Sequence, residues 1–206
     1  MSKSTRMRIA ISQRYDQVPG RDEWRDGLDV KWCELLEQLG FVPILLPSHL
    51  SDVAGYLDAV GIDGLILSGG NDIGSVPPRD RLEKEALLYA MNHNLPVLGV
   101  CRGMQFLCHK EGGKLHNCSG HVATKHKLDG RWAQEQGFSE VNSYHNQAIL
   151  QSDCPAVFDV LATSDDGVVE AFRHKYKNWL GIMWHPEREA PLDASDLALI
   201  QAHFQN

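Results

Sequence analysis

Short apolar segments alternate with amphipathic segments through the first half of the chain. Continuous apolar runs of four or five residues are typical of buried strands, and apolar residues three and four apart are typical of helices. The predicted strands are 8–12, 42–46, 64–67 and 97–100, and the predicted helices are 28–39, 51–60 and 80–92. Strands that alternate with helices predict right-handed crossovers and a parallel sheet with helices on both faces.

The second half of the chain has a different pattern. Residues 112–143 are rich in glycine, histidine and polar side chains. The predicted elements are strands near 140–143, 157–162, 168–173 and 180–184 and a last helix at 194–204. No linker separates the two halves, so we expect a single domain over residues 1–206. The fold class is α/β, a three-layer αβα sandwich around a mostly parallel central sheet.

Composition limits the classes of partner. The 206 residues carry 20 basic and 27 acidic side chains, a net charge of -7, which argues against a nucleic-acid partner. No apolar run approaches the ~20 residues that cross a bilayer, and the N-terminal segment turns polar too early for a signal peptide. We therefore expect a cytoplasmic protein that binds no membrane and whose five cysteines are free thiols.

The strongest local signal is the segment 96–105, Pro-Val-Leu-Gly-Val-Cys-Arg-Gly-Met-Gln. A buried strand runs into a helix with Gly-x-Cys-x-Gly at the junction, which matches a nucleophile elbow with cysteine in place of serine. Such a turn is strained, so small residues are needed at Gly99 and Gly103. Cys101 would then lie at the carboxyl edge of the sheet and at a helix N-terminus, which favours thiolate. A buried structural cysteine is the alternative.

A cysteine nucleophile needs a base, and the base needs a residue that orients it. The segment Trp-His-Pro-Glu at 184–187 supplies both. Positions two apart on an extended backbone face the same side, and Pro186 fixes the φ between them. We predict that His185 faces the thiol while Glu187 holds the imidazole. A surface histidine and a solvated glutamate are the alternatives for each residue taken alone.

A second buried strand ends in two glycines, Gly69 and Gly70. Glycines let backbone N–H groups approach a ligand closely. One N–H group of this loop and the N–H group of Arg102 would form an oxyanion hole. A simple turn is the alternative for a glycine pair after a strand.

Together these three segments resemble the class I glutamine amidotransferase-like superfamily of Cys-His-Glu hydrolases, which have a flavodoxin-like fold. The resemblance covers nearly the whole chain, from the strand at residue 8 to Glu187. It implies that Cys101 is the nucleophile, His185 the base and Glu187 its orienter. Gly70 and Arg102 would supply the oxyanion N–H groups. The implied reaction cleaves a γ-glutamyl amide through a γ-glutamyl thioester and needs no metal or organic cofactor.

The resemblance also implies substrate contacts. Gln105 would touch the γ-glutamyl group, and the segment 141–147, with Tyr144 and His145, would hold its α-amino and α-carboxylate groups. Asn71 is a further candidate substrate contact. It takes the place of a proline that is common in ammonia-donating subunits, and the segment 71–73 is similar to the stand-alone γ-glutamyl hydrolase branch.

Few residues of the sequence indicate the identity of the leaving group. The segments 12–14 and 23–32 resemble those of capsule-biosynthesis enzymes that hydrolyse γ-glutamyl-CDP-amidate. The alternative is a glutaminase that donates ammonia to a synthetase partner, and a homodimer is compatible with either reading. A diphosphate would need cations, for which the candidates are Arg14, Arg21, Arg25 and Arg102. Pairing with neighbouring acids on a solvated face is the other reading of these arginines.

A run of cysteines and histidines suggests a different kind of function, the binding of a metal ion. Six of them lie within nineteen residues: Cys108, His109, His116, Cys118, His121 and His126. Such clusters are found in zinc sites, but these spacings match no regular zinc finger. We therefore expect polar loop histidines here and no metal.

Overall fold

The computed structural model describes residues 6–205, and the single domain predicted over residues 1–206 extends at both ends beyond the described residues. The strands are β1 (Arg8–Ile11), β2 (Arg14–Gln17), β3 (Trp24–Gly27), β4 (Val42–Leu45), β5 (Gly64–Leu67), β6 (Val97–Val100), β7 (His116–Asn117), β8 (Val122–Lys127), β9 (Glu140–Tyr144), β10 (Gln147–Ala148), β11 (Phe158–Thr163), β12 (Val169–His174) and β13 (Trp179–Ile182). The helices are α1 (Lys31–Gln38), α2 (Val53–Val60), α3 (Pro77–Asn92), α4 (Arg102–Lys110), α5 (Arg131–Glu135) and α6 (Ala194–Gln205).

Seven strands form the central sheet in the order β11–β12–β13–β6–β5–β1–β4. The five strands from β13 to β4 are parallel, whereas β12 is antiparallel to β13 and β11 to β12. The predicted mostly parallel sheet is therefore confirmed. Because parallel strands end at the same edge, the residues that follow β1, β5, β6 and β13 meet there.

Helices cover both faces of the sheet, as the predicted three-layer sandwich requires. One apolar core joins a face of the sheet to α1 and α6, with Trp32, Leu36 and Ile200 among its buried side chains. The other core joins the opposite face to α2, α3 and α4. No helix within residues 6–205 is both long and apolar enough to cross a bilayer.

The structure differs from the sequence prediction most clearly before α1 and in the second half. β2 and β3 form a hairpin that no apolar pattern predicts, since its residues are mainly charged or polar. The predicted helix 28–39 begins only at Lys31, because the Asp29 carboxylate accepts the Lys31 N–H and forms a turn first. Helix α3 begins at Pro77 rather than at residue 80, since proline fits the first helical position. β8 pairs with β9 in a separate two-stranded ribbon.

At the junction between β6 and α4, the two glycines Gly99 and Gly103 are packed so closely that neither position has room for a side chain. A Cβ atom at Gly103 would lie 1.9 Å from the carbonyl oxygen of Leu67, and one at Gly99 would lie 2.7 Å from the Gly103 backbone. Both contacts are with backbone, which has no flexible end to move aside. Glycine at these two positions therefore sets how closely α4 approaches the sheet.

Substitution Gly103→Ala is expected to lower the free energy of unfolding by about 3 kcal/mol, because the added methyl group displaces α4 from β5. The matched control is Gly27→Ala, where an added Cβ meets nothing within 4 Å. We expect the control to change stability by less than about 0.5 kcal/mol. Urea unfolding of both variants measures the difference, and equal midpoints for the two would refute the steric argument.

Candidate active site

Cys101 lies at the junction between β6 and α4, at the carboxyl edge of the parallel strands. Its backbone has φ +50° and ψ −106°, a conformation that a side-chain-bearing residue adopts only when its surroundings impose it. Its side chain is buried, with 6 % of the residue exposed. The N–H group of Arg102 opens the following helix, and the first N–H groups of a helix have no intrahelical acceptor. The structure thus has the strained strand-to-helix turn that the sequence predicts.

His185 follows the end of β13, the strand next to β6 in the sheet. Its Nδ1 lies 2.7 Å from Oε1 of Glu187, and both side chains are buried. The sequence predicts an extended backbone across these residues, whereas a short 3-10 turn begins at Pro186. The turn still directs the carboxylate to the ring, so the predicted pair forms on a different backbone.

Asn142 of β9 fixes the backbone of His185 from the other side. Its Oδ1 accepts the His185 N–H at 2.9 Å, and its Nδ2 donates to the His185 carbonyl at 2.8 Å. This double contact links the β8–β9 ribbon to the loop after β13. Asn142 was not among the predicted site residues, although it lies in the predicted segment 141–147.

The pKa of His185 is raised from its ordinary 6.5 to about 9. Burial alone lowers this pKa, but side-chain hydrogen bonds with Cys101 and Glu187 and the negative charge of both partners outweigh burial. The imidazole is therefore charged at neutral pH, between a sulfur and a carboxylate. A positive charge next to a cysteine favours its thiolate, which is the nucleophilic form.

A pocket of about 280 Å³ opens above Cys101 and His185. Six other predicted site residues also line it: Gly70, Asn71, Arg102, Gln105, Tyr144 and His145. Glu187 stands behind His185, which is where an orienting residue belongs. A larger cavity of about 410 Å³ lies elsewhere, between α6 and the sheet, and contains neither Cys101 nor His185. The smaller pocket is the candidate site because it holds the reactive groups.

A buried ion network supports the glycine loop of the pocket from behind. Arg79 donates to Glu83 at 2.9 Å and to the carbonyls of Ser68 and Gly69 at 2.8 and 2.9 Å. Arg102 pairs with the same Glu83, and the two cations lower the pKa of that carboxyl even though burial raises it. Arg79 and Glu83 were missed by the sequence reasoning. The available signal was weak, because the predicted helix begins at residue 80 and leaves Arg79 outside it, so that the spacing of four becomes a helical pair only with the true start at Pro77.

The network also corrects one predicted role. The Arg102 side chain points into the protein, where it contacts Glu83 and Asp80, and it is almost fully buried. It is therefore not a free cation for a diphosphate. Arg102 nevertheless lines the pocket, and the oxyanion role of its backbone N–H group stays a prediction.

Asn71 connects the glycine loop to the β2–β3 hairpin. Its Oδ1 accepts the Tyr15 N–H at 3.0 Å, and its Nδ2 donates to Asp16 at 2.9 Å. The predicted substrate contact thus lies in the pocket wall, but its amide is engaged in holding the hairpin. Gly70, beside it, has φ +112°, and a Cβ there would lie 2.4 Å from Cγ of Arg14. The hairpin and the loop are therefore packed as one unit.

The other predicted substrate residues have distinct environments. Gln105 donates to the carbonyl of Gln147 at 2.9 Å. Tyr144 is exposed, and its ring is perpendicular to the ring of His185. The guanidinium group of Arg188 lies 4.3 Å from the centre of the Tyr144 ring. His145 is buried, and its ring turns away toward other histidines behind the pocket wall.

Of the remaining predicted cations, only Arg14 lines the pocket. Arg21 and Arg25 lie on the solvated face of the hairpin, where both pair with Glu23. Arg188, which the sequence reasoning missed, also lines the pocket. It directly follows Glu187 in the chain, and this closeness to a predicted catalytic residue was the signal that could have identified it.

Substitution Glu187→Gln is expected to lower the pKa of His185 from about 9 toward 6.5, because the amide removes the charge that holds the imidazolium. A raised folded-state pKa stabilises the fold below pH 6.5, and this contribution is lost as the pH rises through 9. The variant therefore loses stability mainly at neutral and acidic pH. NMR titration of the His185 ring measures the shift. The control is Glu34→Gln, which changes an exposed residue of α1. An unchanged His185 titration in Glu187→Gln contradicts the role of Glu187 in raising the pKa of His185.

Known proteins of two kinds resemble this chain. A protein from Campylobacter jejuni named gamma-glutamyl-CDP-amidate hydrolase is 35% identical over 196 residues, which cover 91% of this chain and 93% of that protein. A glutamine-hydrolyzing GMP synthase component from Methanococcus vannielii is 31% identical over 61% of this chain and 65% of that protein. A solved structure from Thermoplasma acidophilum, described as a GMP synthase component, superposes with a TM-score of 0.72 at 23% identity, covering 97% of this chain and 92% of that chain.

The family model Peptidase C26 matches residues 9–187, from the first strand of the sheet through Glu187. The match includes the turn at Cys101, the glycine loop and the His185–Glu187 pair. The chain belongs to the Peptidase C26 family, within the class I glutamine amidotransferase-like fold, and is a hydrolase that acts on carbon–nitrogen bonds.

Proposed function

We propose that this chain hydrolyses a γ-glutamyl amide through a γ-glutamyl thioester on Cys101. The observation that carries the proposal is that Cys101 and His185 line the same 280 Å³ pocket while Glu187 Oε1 lies 2.7 Å from Nδ1 of His185. The relative named gamma-glutamyl-CDP-amidate hydrolase supports the same substrate class. A nucleophile, a charged imidazole and an orienting carboxylate are the groups that acyl transfer requires.

In the first half of the reaction the Cys101 thiolate attacks the γ-carbonyl carbon. The carbonyl electron pair moves onto oxygen, and the N–H groups of Gly70 and Arg102 donate to that oxyanion. One such donor contributes about 3 kcal/mol in other acyl-transfer enzymes. When the oxyanion collapses, the carbon–nitrogen bond breaks and His185 gives its proton to the leaving nitrogen. The products of this half are the free amine and the thioester.

In the second half water cleaves the thioester. Neutral His185 takes a proton from water as the oxygen attacks the thioester carbon. The carbon–sulfur bond then breaks, which returns Cys101 to its thiolate form and releases glutamate. Glu187 holds the imidazole in place and stabilises the imidazolium at the start and the end of the cycle.

The glutamyl group occupies the part of the pocket between α4 and the end of β9. Gln105, held at the carbonyl of Gln147, faces the side chain of the substrate. Tyr144 and the backbone of residues 144–147 face its α-amino and α-carboxylate groups. His145 acts through its backbone here, since its ring is directed behind the pocket wall.

The leaving group occupies the opposite side, next to the β2–β3 hairpin. Arg14 lines the pocket on that side, where it also pairs with the half-exposed Asp16 at 3.2 Å, and Arg188 lines the same pocket above the Tyr144 ring. Guanidinium groups bind phosphate oxygens through paired hydrogen bonds, so these residues suit a diphosphate. We therefore favour γ-glutamyl-CDP-amidate over a neutral γ-glutamyl amine as the substrate.

The second candidate function is ammonia donation from glutamine to a synthetase partner. The relative from Methanococcus vannielii favours it, because its name specifies glutamine hydrolysis by a synthase. The purified chain alone distinguishes the two functions. Rapid release of glutamate from γ-glutamyl-CDP-amidate supports the stand-alone hydrolase, whereas comparable activity on glutamine supports ammonia donation.

Substitution Cys101→Ala is expected to reduce glutamate release from γ-glutamyl-CDP-amidate by about 10⁴-fold or more, because the acyl acceptor is removed. Mass spectrometry of the quenched wild-type reaction is expected to find one glutamyl group on the peptide that contains Cys101. Cys33→Ala, at a partly exposed thiol on α1, is the control and retains activity. Full activity in Cys101→Ala excludes the thioester mechanism.

Substitution Arg14→Ala is expected to raise KM for γ-glutamyl-CDP-amidate about tenfold, the loss of roughly 1.4 kcal/mol from a charged hydrogen bond. KM for γ-glutamyl-GABA, which carries no phosphate, should change less than twofold. Arg21→Ala is the matched control, since it removes a cation from the same hairpin outside the pocket. Equal effects of Arg14→Ala on the two substrates contradict the diphosphate assignment. Steady-state kinetics with both substrates decides the matter.

A further inference from the structure

Three imidazoles and one carboxylate meet in a buried group behind the pocket wall. The group consists of His121, His126, His145 and Glu170. His121, His145 and Glu170 are 2, 3 and 0 % exposed, and His126 is half-buried at the side. One ligand atom from each of the four side chains lies within 4.8 Å of the others. We call these four residues the histidine cluster.

The atoms that face the centre of the histidine cluster have no hydrogen-bond partner among the described residues. They are Nδ1 of His121, Nε2 of His126, Nε2 of His145 and both carboxylate oxygens of Glu170. His145 Nε2 and Oε1 of Glu170 are 3.6 Å apart, too far for a hydrogen bond. A buried polar atom without a partner costs about 1–3 kcal/mol, and here five such atoms are concentrated in one place.

The outer nitrogens of two rings fix the proton positions. His121 Nε2 lies 2.8 Å from Oδ2 of Asp166, and His145 Nδ1 lies 3.0 Å from the carbonyl oxygen of Gln147. Both oxygens accept, so each of these nitrogens carries a proton. In a neutral ring the inner nitrogen then presents a lone pair. Lone pairs and a carboxylate therefore point at one another, an arrangement that a cation at the centre would stabilise.

This pattern is the one that metal-binding histidines use. A histidine that ligates a metal donates its other ring N–H group to a carboxylate or a backbone carbonyl, which holds the ring in place. Asp166 is itself held by the Ser164 hydroxyl at 2.6 Å. The Asp166 carboxylate and the Gln147 carbonyl thus occupy the positions of outer-shell partners.

We propose that the histidine cluster binds one zinc ion in a tetrahedral site of three imidazole nitrogens and one carboxylate oxygen. Imidazole suits zinc, whereas magnesium and calcium prefer oxygen ligands. Bonds of about 2.0–2.2 Å to a central ion place the ligand atoms roughly 3.4 Å apart. The ligand atoms therefore need to approach by about 1 Å or slightly more from their separations of up to 4.8 Å.

The four ligands come from separate parts of the fold. His121 precedes β8, His126 lies in β8, His145 follows β9, and Glu170 lies in β12 of the central sheet. Zinc would link the β8–β9 ribbon to the central sheet. It would thereby fix the position of the segment that carries Tyr144 into the pocket. All four coordination positions are filled by protein, so the ion is structural and takes no part in the reaction.

The cysteine and histidine run noted in the sequence contributes only two of the four ligands. His121 and His126 belong to it, whereas His145 and Glu170 come from beyond it. Cys118 Sγ lies 3.6 Å from Nδ1 of His145, on the outer side of that ring. It is therefore a neighbour of the proposed site rather than a member of it.

The test measures zinc in the Cys101→Ala chain, so that the thiol beside His185 cannot bind the metal. The protein is stripped with a chelator, given zinc alone, passed through gel filtration and analysed by elemental mass spectrometry. About one zinc per chain is expected, with a rise in Tm that magnesium does not produce. Cobalt substitution is expected to give the visible absorption of a tetrahedral ion without a thiolate charge-transfer band.

Two pairs of variants in the same background assign the ion to the histidine cluster. The Asp166 side chain is exposed, so the variant Asp166→Ala should fold. It should weaken zinc binding about 10–100-fold, because His121 loses its outer-shell partner. Asp165→Ala, the adjacent exposed acid, should bind as the parent does. His126→Ala should lose at least tenfold in affinity, whereas Cys118→Ser should retain the metal.

Three outcomes overturn the proposal. The first is less than about 0.1 zinc per chain after loading, far below a full site. The second is zinc that His126→Ala and Asp166→Ala hold as tightly as Asp165→Ala does. The third is a cobalt spectrum with a thiolate band that disappears in Cys118→Ser. None of these outcomes bears on γ-glutamyl hydrolysis, which the wild-type chain reports separately.

Discussion

The close packing of α4 against the end of β5 is the constraint on which the rest of the site depends. Cys101 has a positive φ that costs about 1–3 kcal/mol, and this cost must be met by interactions elsewhere. The backbone contacts at Gly99 and Gly103 leave the chain no other path from strand to helix. The position of the sulfur therefore depends on this close backbone packing beneath it.

The polar counterpart of that packing is the ion network of Arg79, Glu83 and Arg102. Charges this deeply buried are stable only when each has a partner, and loss of one partner typically costs about 3–5 kcal/mol. Here two cations share one carboxylate, and Arg79 also donates to the carbonyls of the glycine loop. The network thus orients the backbone of residues 68–70, so that loop and nucleophile are held by one buried structure.

Local signals were sufficient for some parts of this molecule and insufficient for others. The strands at 64–67 and 97–100 are continuous apolar runs, and their boundaries agree with the structure. The hairpin at residues 14–27 has no such pattern, because Asn71 holds it through contacts distant in the sequence. The direction of the Arg102 side chain depends likewise on Glu83, on another helix. The histidine cluster combines residues near the paired strands β8 and β9 with Glu170 of β12, so it depends on how the ribbon meets the central sheet. Residue types identify candidate chemistry, whereas tertiary contacts decide which side chains face which cavity.

The β2–β3 hairpin makes one wall of the cavity separable from the rest of the site. It lies at the surface between the first strand of the sheet and α1, and it is joined to the pocket through Asn71 and Arg14. Changes in its length or composition would reshape one side of the cavity while leaving the core under the elbow intact. The wall of the cavity beside the hairpin can therefore vary independently of the catalytic turn, since the first is built at the surface and the second in the interior.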